Sequence, residues 1–233
     1  MTRHELKEQL QHDEFTDAVS RVVRYTNEHR ERVVRIGIIA AAVLAVAGGL
    51  YWYLSYRNSV RDRDLQAVFN VLDAPVGQPN AFVKTFATQE AKTQASIKAL
   101  SDMIAKDGDS SQGLIAQYYL GTLKAQQGDN KTAKTYLTKV AGSDSQCSPL
   151  AKIALAQLYA GEGKTSEARN LLQSIVNKPS ALVSKDQADI LIARLDESAD
   201  PKAAKALLQS LKTPDQRPAV SRAVSEMEAT LSK

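Results

Sequence analysis

Nineteen consecutive residues without a charged side chain, Ile36 to Leu54, constrain this chain more than any other feature. They read IGIIAAAVLAVAGGLYWYL and have no counterpart elsewhere in the sequence. As a helix rising about 1.5 Å per residue, such a run spans roughly 28 Å, close to the hydrocarbon thickness of a bilayer. Tyr51, Trp52 and Tyr53 close it, as aromatic rings do at a membrane–water interface. Arg32 and Arg35 precede it, and Arg57 and Arg61 follow, so charge brackets both ends. Ala45-Val46-Ala47 mimics a signal-peptide cleavage box, but seven more uncharged residues follow it and 35 residues precede the run. Secretory signals have shorter apolar stretches. The expectation is a retained single transmembrane helix.

The flanks suggest its direction. Thr16–Arg35 holds five basic residues (Arg21, Arg24, Arg30, Arg32, Arg35), and Ser55–Ala74 holds three (Arg57, Arg61, Arg63). Positive flanks stay cytoplasmic, so the N-terminus is expected inside and the C-terminal part outside, in the periplasm of a bacterium. Cys147 is the lone cysteine, so no intramolecular disulfide is available. Residues 1–35 carry seven basic and seven acidic side chains, and the net +4 of the chain is spread over the rest without a basic run. That pattern gives nucleic-acid binding no electrostatic support.

Residues 2–35 read as a helical leader. Thr2 and Glu5 form a capping box, and Leu6, Leu10, Phe15, Val19, Val22, Val23 and Thr26 recur at helical spacing. The leader suits an amphipathic helix at the membrane surface, or a docking element for a membrane partner. His4, His12 and His29 lie 8 and 17 residues apart, which suits no metal cluster.

Beyond Ser55, Ala, Leu, Lys and Gln dominate and strand alternation is weak, which points to helices. Internal similarity is the useful signal. Gly121 and Ala156, Gly128 and Gly163, Ala133 and Ala168, and Leu137 and Leu172 all lie 35 residues apart. At an offset of 36, EARNLLQS (167–174) matches AAKALLQS (203–210). Each unit reads as helix–turn–helix: Gln112–Gln127 with Lys131–Val140, Pro149–Ala160 with Thr165–Val176, and Lys185–Asp196 with Lys202–Leu211. Glycines at 128 and 161–163 suit helix ends, Ser184 and Gln187 a capping box, and Asp200-Pro201 a helix start.

This spacing resembles the tetratricopeptide repeat, which wants a small residue, an aromatic, an Ala and a bulky apolar residue at fixed positions. Unit two supplies Ala156, Tyr159, Ala168 and Leu172. Unit one supplies Gly121, Ala133 and Leu137, with Lys124 in the aromatic position. Unit three supplies Leu195, Ala204 and Leu208, but Ile192 takes the small position and suggests wider packing there. Upstream, Arg61–Leu72 and Thr93–Lys106 fit a degenerate earlier repeat, with a loop at Asp73–Asn80 between them. Ala219–Leu231 suits a polar terminal cap.

No G-x-S-x-G, H-E-x-x-H, P-loop or G-x-G-x-x-G occurs, and no histidine follows the apolar run. Asp107 and Asp109 read as a plain turn. Tyr118, Tyr119 and Tyr159 fall at core or groove positions, with core the default. The expectation is no enzyme, no cofactor, no metal and no small-molecule substrate.

The leader EFTDAVSRVVRYTNEHR, the anchor ending in GGLYWYL and the repeat ALAQLYAGEGKTSEARNLL together resemble the bacterial inner-membrane family of the ancillary SecYEG translocon subunit (YfgM-type). The resemblance implies a single-pass inner-membrane protein that associates with the Sec translocon and with a membrane-anchored periplasmic prolyl-isomerase-like chaperone. It implies a role in handling exported proteins. The family's repeats are also related to those of a periplasmic cell-division coordinator, so a scaffold for envelope assembly or division is the alternative.

The expected fold is all-α, a single N-terminal transmembrane helix followed by a tetratricopeptide-repeat-like helical solenoid. Its expected parts are a cytoplasmic leader (1–35), the span (36–54), juxtamembrane helices with a degenerate first repeat (55–110), repeats (111–212) and a capping helix (213–233). The first helices of such repeats line a concave face. Their groove positions are Ile115, Tyr118 and Thr122 in unit one, Ile153 and Gln157 in unit two, and Asp186, Asp189 and Ala193 in unit three. That groove is expected to be apolar at one end and acidic at the other, suiting a segment with basic residues.

Overall fold

In the computed structural model the described residues are 30–78, 85–197, 199–212 and 218–231. The leader's capping box and its three histidines lie outside them. Among the described residues there are nine helices and no strand: α1 (Arg30–Leu72), α2 (Gln89–Asp107), α3 (Ser111–Gln126), α4 (Asn130–Ala141), α5 (Ser148–Gly161), α6 (Thr165–Asn177), α7 (Lys185–Asp196), α8 (Pro201–Ser210) and α9 (Pro218–Leu231). One isolated parallel bridge joins Val76 and Phe86. The chain divides into two compact units, Met1–Val60 and Arg61–Lys233.

The first unit contains the apolar run. Among the described residues, Val34–Leu72 is the one stretch long and apolar enough to cross a membrane, with a mean hydropathy of 2.0 in its most apolar window. The large side chains of the run, from Ile36 to Leu54, are all more than half exposed, so no protein core covers them.

The second unit is a stack of helix pairs. Consecutive helices from α2 to α8 pack on their neighbours, and α9 packs on both α7 and α8. The pairs predicted from the repeats are α3–α4, α5–α6 and α7–α8, and their ends fall within a few residues of the expected ones. The last twelve residues of α1 put Leu65, Val68 and Leu72 against Leu100, Met103, Ala116 and Leu120. Arg61 donates to the Asp107 carboxylate at 2.7 Å, with Asp107 only 10 % exposed, and ties that segment to the end of α2.

Local chemistry sets the helix ends. Thr88, Ser110, Asp129, Ser184 and Asp200 each accept a hydrogen bond from the backbone N–H three residues on. Gly128 and Gly163 stop α3 and α5 with φ of +80° and +75°. At each stop two backbone bonds close the same motif. Asp129 and Gly128 donate to Lys124 and Ala125, and Lys164 and Gly163 donate to Tyr159 and Ala160.

Helix approach follows the small positions. A Cβ added to Gly121 would lie 2.8 Å from Leu137 Cγ, and Leu137 is fully buried. Ala156 and Ile192, the corresponding residues, are both buried in the next cluster. The pair packs most extensively in α3–α4, less in α5–α6 and least in α7–α8, in the order Gly, Ala, Ile.

These glycines make separable predictions, read by chemical unfolding of the detergent-solubilised chain. Gly121→Ala is expected to destabilise by about 1–3 kcal/mol through overpacking against Leu137. Gly163→Ala has open space around its Cβ and is expected to cost about 1–2 kcal/mol through its positive φ alone. Gly163→Asn is expected to recover part of that loss, because Asn tolerates the left-handed region. An equal loss for Gly163→Ala and Gly163→Asn would show that φ is not the cause.

Candidate functional site

The first helices α3, α5 and α7 carry the residues singled out for a groove. On α3, Ile115 is partly buried. Tyr118 packs over the cluster of Ala133, Leu137, Val140, Ala151 and Leu155. Its ring meets Tyr119 edge-on at 5.3 Å, and Tyr119 meets Phe69 in the same way at 5.3 Å. Burial raises the Tyr118 phenol above its usual range, with Tyr119 and Cys147 adding to the effect, so the ring presents a neutral O–H. The Thr122 hydroxyl donates to the Tyr119 carbonyl at 2.9 Å within its own helix. Burial also raises the Cys147 thiol, which is half-buried in the same cluster.

Ile153 and Gln157 of α5 line a cavity of about 290 Å³. Ala156, Ala160, Thr165, Ala168 and Leu172 complete its α5–α6 side, and Leu191, Arg194 and Leu195 form the α7 side. The three residues expected from α7 lie elsewhere. Asp186 is partly buried. Asp189 is 7 % exposed and Ala193 fully buried. Ala193 packs with Leu208, Val220, Val224 and Met227, under α9.

The structure therefore brings Ile153 and Gln157 together in one seam and places Asp189 and Ala193 in the interior. Ala193 stands 36 residues after Gln157, the repeat offset. At the end of the stack α9 occupies the place of a further first helix and covers that position. Among first helices α3 packs on α5, and α7 packs on α9, whereas α5 and α7 do not approach as closely. The cavity is that gap. Leu191, Arg194 and Leu195 were missed as lining residues because the repeat offset was followed without the covering helix. Leu195 was visible only as the repeat's aromatic-position substitute.

Two buried carboxylates differ sharply. Asp196 is 3 % exposed and is paired with the Arg169 guanidinium from α6. Asp189 has no such partner among the described residues. Burial pushes its carboxyl above the ordinary value of 3.8, with Lys185 opposing and Asp186 adding. No group of three or more His, Cys, Asp or Glu among the described residues is arranged to hold a metal.

The family described as tetratricopeptide repeat-like domain matches residues 31–227. Among solved structures, a crystal structure of nearly identical TPR-like repeats from Podosopora anserina is similar at 17% identity. It covers 62% of this chain and 87% of that one, with a TM-score of 0.45. No curated protein matches the chain significantly.

The Asp189 environment predicts a pH signature. The folded state holds this proton more tightly than the unfolded chain, so the charged form destabilises above the folded-state pKa. The penalty fades as pH falls through that pKa and is gone below the ordinary carboxylate value. Asp189→Asn is expected to stabilise the protein at neutral pH, with the gain shrinking on acidification in urea titrations. A gain independent of pH would assign the effect to something other than charge. Arg169→Leu is expected to destabilise by about 3 kcal/mol, because it leaves the Asp196 charge buried without a counter-ion.

Proposed function

The chain belongs to the tetratricopeptide repeat-like domain family, and from that membership we propose a membrane-anchored protein-interaction adaptor. Repeats of this kind are protein-interaction scaffolds rather than catalysts. The observation that carries the reading is the presence on one chain of an uncovered apolar helix and a stack of helix pairs with an open seam.

The finer reading is an ancillary subunit of the Sec translocon, associated with a periplasmic prolyl-isomerase-like chaperone and handling exported proteins. It rests on the resemblance of the leader, anchor and repeat to the YfgM-type family. It places residues 1–35 in the cytoplasm, 36–54 across a bacterial inner membrane, and 55–233 in the periplasm, on the five-to-three excess of basic residues before the span. Partner contacts are assigned to the first-helix face that carries Ile115, Tyr118, Thr122, Ile153 and Gln157.

The test is affinity purification with mass spectrometry of the detergent-solubilised full-length protein, beside a truncated chain beginning at Ser55, which keeps the Arg61–Asp107 pair. Translocon subunits and a periplasmic chaperone are expected with the full-length chain and are expected to be lost on truncation. Recovery of division or envelope-assembly proteins with both chains would replace this reading with the scaffold alternative.

A further inference from the structure

The seam between α5 and α7 has apolar walls and a positive rim. Ile153, Leu172, Leu191 and Leu195 supply the walls, and the small side chains of Ala156, Ala160 and Ala168 keep it open. At about 290 Å³ it sits just under the usual range of small-molecule pockets, roughly 300–1,000 Å³, and suits a side chain inserted from a passing polypeptide.

Arg194 is exposed on the rim and, among the described residues, has no carboxylate partner. The neighbouring carboxylates are engaged otherwise. Asp196 is held by Arg169, and Glu162 by Lys134 at 2.6 Å and Lys164 at 2.8 Å. Glu197, three residues after Arg194, makes no ion pair with it. A second observation has the same sign. Thr165, the first residue of α6, lines the seam, and no side chain caps that helix start. Free N–H groups at a helix N-terminus favour a negative group. Glu167 in the same first turn is two residues from Thr165, so it points away from it.

We propose that this seam docks a partner polypeptide segment carrying an acidic side chain beside a large aliphatic or aromatic one. The apolar side chain fills the gap between α5 and α7, and the carboxylate reaches Arg194, with the Gln157 amide beside it. This rests on the adaptor reading and specifies what a partner must present. It departs from the basic segment expected when Asp189 was counted as a groove residue, because Asp189 is buried.

The probe is an array of immobilised nonapeptides, all with amidated C-termini. Each carries a Leu or Phe next to Glu, Gln or Lys, and a parallel set has Gln and a free C-terminal carboxylate. It is read with the full-length protein in detergent. Glu peptides are expected to bind about tenfold more tightly than Gln peptides, and Arg194→Glu is expected to invert the order in favour of Lys. Ala160→Leu, at an exposed rim position, is expected to abolish binding of all peptides without changing the helical circular dichroism spectrum. Equal binding of Glu and Gln peptides, a preference unaffected by Arg194→Glu, or binding confined to the free-carboxylate set would overturn the proposal. Any of these, with native partners still co-purifying, would strike the seam and leave the adaptor reading intact. Absence of native partners with the Glu preference and its inversion intact would strike the adaptor reading alone.

Discussion

The apolar face of each helix pair in this chain is buried only by the pair beside it, and the repeat region is built around that constraint. Among the described residues four apolar clusters form the core, and each joins a pair to what lies beside it. The cluster holding Ala156, Leu172 and Ile192 joins the second unit to the third. The one holding Leu137 and Leu155 joins the first to the second. Burying a leucine contributes about 1.5–3 kcal/mol, so a pair taken alone forfeits most of what orders it. The ends of the stack need other partners. The end of α1 closes one side with Leu65, Val68 and Leu72. At the other, α9 offers Val220, Val224 and Met227 inward and exposes Ser221, Arg222, Ser225 and Glu226.

Stacking at this repeat length also demands a sharp reversal after each first helix. Gly128 and Gly163 make the reversal by a left-handed residue, 35 positions apart. The third unit has no glycine there. Its turn instead uses Asp200, which accepts from Ala203 N–H while its own N–H donates to the Asp196 carbonyl, and Pro201 then starts α8. The same Asp196 carries the buried carboxylate held by Arg169. One residue therefore closes the turn and ties α6 to α7, where the earlier units turn on a left-handed glycine.

Much of this was legible in the sequence. The coincident offsets near 35 located the three pairs, since repetition places small residues wherever helices must approach. The uncharged run stood out because no other segment is long and apolar enough to compete. The groove was less legible. Ile153 and Gln157 line the seam while Asp189 and Ala193 are buried, because a repeat pattern describes an interior unit and α7 is followed by α9. Which face of the last first helix stays open depends on how α9 docks, and no local pattern around residues 185–196 encodes that. The leader's amphipathic pattern lies outside the described residues.

The polar groups of the interior show why the seam stands apart. Two of the buried polar side chains in this stack fix turns. Gln117, 1 % exposed, donates to the Gly108 carbonyl at 2.6 Å and holds the turn between α2 and α3. Ser148 donates to the Ala141 carbonyl at 2.8 Å and holds the turn between α4 and α5. Around α7 the pattern differs. Among the described residues, Asp189 is buried without an ion-pair partner, while Arg194, five residues on, is exposed without one. The two side chains lie on different sides of α7: Asp189 is buried, while Arg194 lines the open gap. An uncompensated carboxylate inside is a cost to stability that a folded stack must absorb. An uncompensated guanidinium beside an apolar gap is a surface with both the shape and the charge to receive another chain.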